Sequence, residues 1–104
     1  MLTTFLLLTA RPGWLALPRE ERRQIAGAAL AETGFDTIRH FDAEAFSAFC
    51  SDVVMVTAPD AAAQNRAMER LRDTPIFAAP YFDLVAVLPT IEDGFRQYEA
   101  EAGL

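Results

Sequence analysis

The hydrophobic and polar positions of this chain change their period several times, and each change marks an element. Residues 2 to 8, Leu-Thr-Thr-Phe-Leu-Leu-Leu, carry no charge. In a strand, Thr3, Phe5 and Leu7 point one way and Thr4, Leu6 and Leu8 the other. Both faces are mostly apolar, which predicts a strand covered on both sides. Arg11-Pro12-Gly13-Trp14 reads as a turn. Pro18 suits the first turn of a helix, where its missing N–H costs nothing. Glu20 and Glu21 follow at the positive end of the helix dipole. Ile25, Ala26, Ala29 and Leu30 recur at helical spacing, and the helix should end near Glu32 with Gly34 as its cap.

Asp36 to Asp42 predicts a second strand whose poorer alternation marks an edge. Ala43 to Cys50 fits either a short helical turn or a wide connection. Asp52 to Thr57 predicts a third strand, apolar on both faces and therefore central. Asp60 suits the N-cap of a helix that buries Ala67, Met68 and Leu71 and stops at Thr74-Pro75. Ile76 to Pro80 reads as an apolar loop. Tyr81 to Leu88 predicts a fourth strand, with Phe82, Leu84, Ala86 and Leu88 on one face, closed by Pro89. A short helix from Glu92 to Glu101 would carry Phe95 and Tyr98 on one side.

Strand, helix, strand, strand, helix, strand, then a tail helix is the order of a ferredoxin-like β-α-β-β-α-β fold, class α+β, with an antiparallel four-stranded sheet. The first and third strands lie centrally in that topology, as their two apolar faces require. Both long helices cover one sheet face and leave the other bare. So large an apolar face needs a cover. The simplest is a second copy, sheet against sheet about a two-fold axis: a homodimer of the dimeric α+β barrel kind. The alternative cover is the tail helix.

A chain of 104 residues suits one domain, spanning residues 1–104. Its net charge of −6 and its lack of lysine argue against a nucleic-acid partner and exclude Schiff-base chemistry on a side-chain amine. Cys50 is the only cysteine, so there is no intrachain disulfide and no cysteine-rich zinc site, which suits a cytoplasmic location. No positive charge precedes the first apolar run, so a strand is preferred there to a secretory signal. No apolar run reaches the length of a membrane span.

His40 is the only histidine and the first candidate for acid–base work. Asp42, two residues on, would share its sheet face and could orient the ring. The bland alternative is a strand histidine facing water. Asp42 and Ser47 also suit capping of a short turn, which is preferred for them. Trp14, Phe77, Tyr81 and Phe82 are expected to converge at one end of the sheet as walls of a cavity, with Tyr81 and Arg39 as its polar members. Arg72 is a candidate for binding an anionic group, or else tethers a helix end. Cys50, near Phe46 and Phe49, reads as a small buried hydrophobe. No metal-ligand spacing and no nucleotide, heme or other cofactor motif is visible.

Several blocks resemble the darcynin family, small proteins of unassigned function. They are Trp14-Leu15-Ala16-Leu17 with Glu21-Arg22, Phe41-Asp42-Ala43-Glu44-Ala45-Phe46-Ser47, Ser51-Asp52, Leu71-Arg72-Asp73-Thr74-Pro75, Pro80-Tyr81-Phe82 and Ile91-Glu92-Asp93-Gly94-Phe95. They keep their order over almost the whole chain, although the span from Leu30 to Phe35 is shorter than the family pattern. The resemblance implies kinship with the dimeric α+β barrel superfamily, which includes cofactor-independent oxygenases, isomerases and heme enzymes. It implies no activity. Three functions follow as expectations. The first is a dimeric barrel holding a small apolar ligand between sheet and helices. The second is a cofactor-independent monooxygenase- or isomerase-like enzyme with His40 and Tyr81 handling protons. The third is an interaction module.

Overall fold

The computed structural model describes all 104 residues. Strands β1 (Leu2–Ala10), β2 (Thr37–Asp42), β3 (Asp52–Ala58) and β4 (Phe82–Thr90) form one antiparallel sheet in the order β2-β3-β1-β4. The two strands with two apolar faces are thus the central pair, and β2 is an edge, as the patterning predicts. Helices α2 (Arg19–Ala31) and α3 (Ala61–Asp73) lie over one sheet face, and the short α4 (Pro75–Ala78) contacts both. The core joins Leu6 and Leu8 of β1 and Val54 and Val56 of β3 to Ala29, Leu71, Ile76 and Phe82. The architecture is ferredoxin-like α+β.

Local chemistry explains the helix limits. Asp60 caps α3 by accepting a hydrogen bond from the Ala63 amide at 2.8 Å. Replacing it with alanine removes that acceptor, and Asp60→Ala is expected to cost about 1 kcal/mol in a urea melt. Past the end of α2, Gly34 takes φ +82, and a Cβ there would sit 2.9 Å from Arg70 Nη1. Arg22 donates to the carbonyls of Leu15 (2.6 Å) and Leu17 (3.0 Å), pinning the start of α2 to the preceding segment.

Four details differ from the sequence expectations. Residues 12–15 form a one-turn helix, α1 (Pro12–Leu15), in place of a simple turn, and Pro75–Ala78 forms α4 in place of a loop. β4 runs through Pro89 to Thr90; proline is tolerated because β4 is an edge strand and needs no donor on its outer side. The alternation assigned to β4 also breaks. Leu7 pairs with Ala86 but Leu8 with Leu84, so Val85 is an extra residue in a bulge. Phe82 and Leu84 therefore face the helices, whereas Ala86 and Leu88 share the opposite face with Leu7 and Phe5.

That opposite face has its own order. One cross-strand row reads Phe41, Val53, Leu7, Ala86, and the next Arg39, Met55, Phe5, Leu88. A third row is all threonine: Thr37, Thr57, Thr3 and Thr90. The face has an apolar centre and a polar margin, and nothing in the chain covers it. The tail helix α5 (Gly94–Ala102) does not: it has no buried residue, and Phe95 and Tyr98 are themselves 58% and 65% exposed. The Cα radius of gyration is 15.6 Å, against about 13 Å for a compact chain of this length, and the longest dimension is 55 Å.

Candidate functional site

A cavity of about 330 Å³ lies between the sheet and the helices. Thirteen of its nineteen lining residues are hydrophobic, so its body is a greasy slot. Leu6, Leu8, Val54 and Val56 form its floor, Ala26 and Leu30 of α2 one wall, and Leu71, Ile76, Phe77 and Phe82 the other. Trp14 closes the slot where β1 ends, its ring centroid 5.0 Å from that of Phe82 and 5.4 Å from that of Tyr81.

The polar lining residues are His40, Asp42, Glu44, Asp52, Arg22 and Arg23. The strand register explains why they gather. Asp42 lies directly opposite Asp52, which lies opposite Leu8, and His40 heads the neighbouring row with Val54 and Leu6. Opposed carboxylates on adjacent strands repel, so this pair needs compensation. Asp52 receives it. His40 Nε2 lies 2.7 Å from Asp52 Oδ1, and the Ser51 hydroxyl lies 2.5 Å from Asp52 Oδ2. Ser51 Oγ also accepts the Ala10 amide at 2.8 Å, which locks the dyad to the end of β1. The His40 side chain is 55% exposed and that of Asp52 19%, so the ring stands at the mouth and the carboxylate within. Asp52 can only accept when ionised, so Nε2 carries the hydrogen of the pair and Nδ1 is left as the second ring nitrogen.

Of the expected cavity residues, His40, Asp42, Trp14, Phe77 and Phe82 do line it. Arg39, Tyr81 and Arg72 do not. Arg39 is an odd-numbered residue of β2 and points to the uncovered sheet face, its guanidinium 5.2 Å from the centre of the Phe41 ring. Tyr81 sits behind Trp14, and Arg72 is exposed on α3. His40 and Tyr81 thus do not share a chamber. Asp42 does not orient the imidazole; Asp52 does. Asp42 caps instead, accepting the Glu44 amide at 3.2 Å, and Ser47 likewise accepts the amides of Phe49 and Cys50. Cys50 is buried. The mouth carboxylates and His40 do not converge as a metal cage: no group of three His, Cys, Asp or Glu side chains is close enough to hold an ion.

Asp52, Ser51 and Arg22 carry no motif that singles them out in the sequence. All three stood within the blocks that carried the family resemblance.

Solved structures with this architecture are similar over most of the chain. A heme-binding protein from Thermus thermophilus has a TM-score of 0.70 at 17% identity, covering 95% of this chain and 44% of that one. A putative chlorite dismutase has a TM-score of 0.66 at 20% identity, covering 85% of this chain. At such identities the likeness is one of fold, and this chain spans less than half of either protein, 44% and 42%. Sequence comparison narrows the class. The profile of the Darcynin family, a domain of unknown function, matches residues 1–103, and the chain belongs to that family. Relatives include a darcynin homolog from Streptomyces avermitilis, 36% identical over 95% of this chain and 86% of its own length. Another, Darcynin 1 from Acinetobacter baumannii, is 32% identical over 83% of this chain and its own entire length. A darcynin from Chromobacterium violaceum is 48% identical over 62% of this chain and 81% of its own length.

Proposed function

We propose that this protein binds a small, largely apolar molecule in the cavity between its sheet and helices, and does so as a homodimer. The carrying observation is the cavity itself: about 330 Å³, at the lower end of small-molecule sites, apolar in its body, with polar groups gathered where β1 ends. An opposed pair of aspartates is a poor choice for fold stability alone, and local violations of that kind gather at functional sites. The second copy covers the uncovered sheet face, whose apolar centre and polar margin have the composition of a protein interface. A cytoplasmic location is the reading that suits a single thiol, and no helix is long and apolar enough to cross a membrane.

The fold neighbours raise heme as a ligand, and the donor set here does not suit it. His40 is the only imidazole, and its Nε2 is held by Asp52. Cys50 and Tyr81 do not line the cavity. With Nε2 held, only Nδ1 is left for an iron, and it belongs to a ring that is 55% exposed at the mouth and not enclosed in the slot.

A second reading is favoured by the dyad alone. A carboxylate-oriented imidazole at the mouth of an apolar slot is the arrangement of a general base, so His40 with Asp52, not with Tyr81, would carry any cofactor-independent proton transfer.

The test of binding is to fill the slot. Ala26 lines it from α2 and is half-buried, so phenylalanine there can project into the free volume. Equilibrium dialysis with 2-naphthol, a probe of suitable size, should give saturable binding to the wild type. Ala26→Phe should weaken it by about tenfold or more while retaining a cooperative melt. Equal binding by both proteins would place the ligand elsewhere.

A further inference from the structure

We infer that the molecule held in this cavity presents a hydrogen-bond donor, a neutral hydroxyl on an apolar body, to His40 Nδ1 and is not an organic acid. The inference rests on the cavity-binding reading and gives it a chemical class. Three carboxylates line the cavity: Asp42, Glu44 and Asp52. Of the two arginines beside them, Arg22 commits its Nε–H and an Nη2–H to the carbonyls of Leu17 and Leu15, and Arg23 reaches outward to Glu20 at 3.4 Å with its side chain 72% exposed. An incoming carboxylate would meet three like charges, with one arginine turned to the backbone and the other toward solvent.

The dyad sets the complementary preference. Asp52 accepts from Nε2–H, and the Ser51 hydroxyl occupies its second oxygen, so the carboxylate has little reason to turn away from the ring. In the neutral imidazole this fixes Nδ1 as an acceptor. His40 shares its row with Val54 and Leu6, so a group bonded to Nδ1 would have apolar surface beside it for the rest of the ligand. A hydroxyl in such a place donates to Nδ1. An ether of the same shape cannot; with the ring 55% exposed, water offsets part of that loss, so a preference of about tenfold is expected and not the larger factor of an enclosed site.

Three probes separate the classes: 2-naphthol as donor, 2-methoxynaphthalene as acceptor only, and 2-naphthoate as anion. Each is measured by equilibrium dialysis against the full chain in mildly alkaline buffer. The expected order is naphthol about tenfold tighter than the ether, with the naphthoate weakest. In His40→Phe the preference should be lost, naphthol and ether binding within about twofold of one another. Asp52→Asn, which frees the tautomer without removing the ring, should cut the preference several-fold and guards against a folding defect in the first variant. An ether that binds as tightly as naphthol, or a naphthoate that binds best, with both still excluded by Ala26→Phe, overturns the donor assignment and leaves the cavity standing. Failure of all three to bind overturns the cavity reading and the donor assignment together.

Discussion

Light scattering of the purified chain should give about 23 kDa, twice the 11.5 kDa of one copy, and Phe5→Glu should return it to a single copy. Phe5 stands at the middle of the uncovered face, with Met55 on one side and Leu88 on the other. Only 15 of 104 residues are buried within one chain, a small core for a protein of this apolar content. Part of the shortfall lies on this face, where Leu88 is 49% and Phe41 43% exposed; the rest lies mainly in the 43–50 connection and the tail. Aromatic anchors near the centre of an interface are commonly worth ~2–4 kcal/mol each, and a two-fold axis applies the change twice. A buried glutamate adds an unpaired charge in each copy. Dimerisation should weaken by about a hundredfold or more. The fold itself should survive, because the helices and core lie on the other side of the sheet. A wild-type chain that stays single at high concentration would refute the dimer.

The largest effect on stability should come from Leu6→Ala. Leu6 is fully buried in the row between Val54 and Val87 and touches the core on the helix side. Truncating such a leucine costs about 3–4 kcal/mol, from lost transfer energy and from the void left behind. Against the ~5–15 kcal/mol that small domains have in total, that is a large fraction. The urea midpoint should fall with the slope unchanged. Phe95→Ala is the matched control. It removes a larger side chain, but from a helix with no buried residue, so within the single chain it should shift stability by less than about 0.5 kcal/mol. A comparable loss from both would mean that α5 packs in solution as it does not here.

Much of the fold was legible because two-sided apolarity is a direct statement about neighbours. Residues 2–8 and 52–57 could only be central, and the mixed residues 36–42 could only be an edge. The β4 bulge was illegible, since alternation continues unbroken through Val85 in the sequence and only the pairing partner reveals the extra residue. The same cause hid half of the site. His40 was identifiable as the only imidazole. Its partner was not, because Asp42 is near in sequence whereas Asp52 is near only once β2 and β3 are in register. Arg39, expected as a polar member of the cavity, shares the other strand face with Phe41, because period two sends it opposite His40. Trp14 and Phe82 do pack together at one end of the sheet, as large aromatics flanking strand ends have few other places to go.

The imidazole sits on a strand that is hydrogen-bonded along one side only, while the carboxylate holding it belongs to the middle of the sheet. Partial openings of a protein begin where fewest contacts must be given up. Peeling β2 from β3 would part the two halves of the dyad and widen the slot without disturbing the β1–β3 pairing. For the guest proposed above, the fraying of these six residues would govern entry and exit, and amide exchange is expected to be quicker at His40 and Phe41 than at Leu6 and Val54.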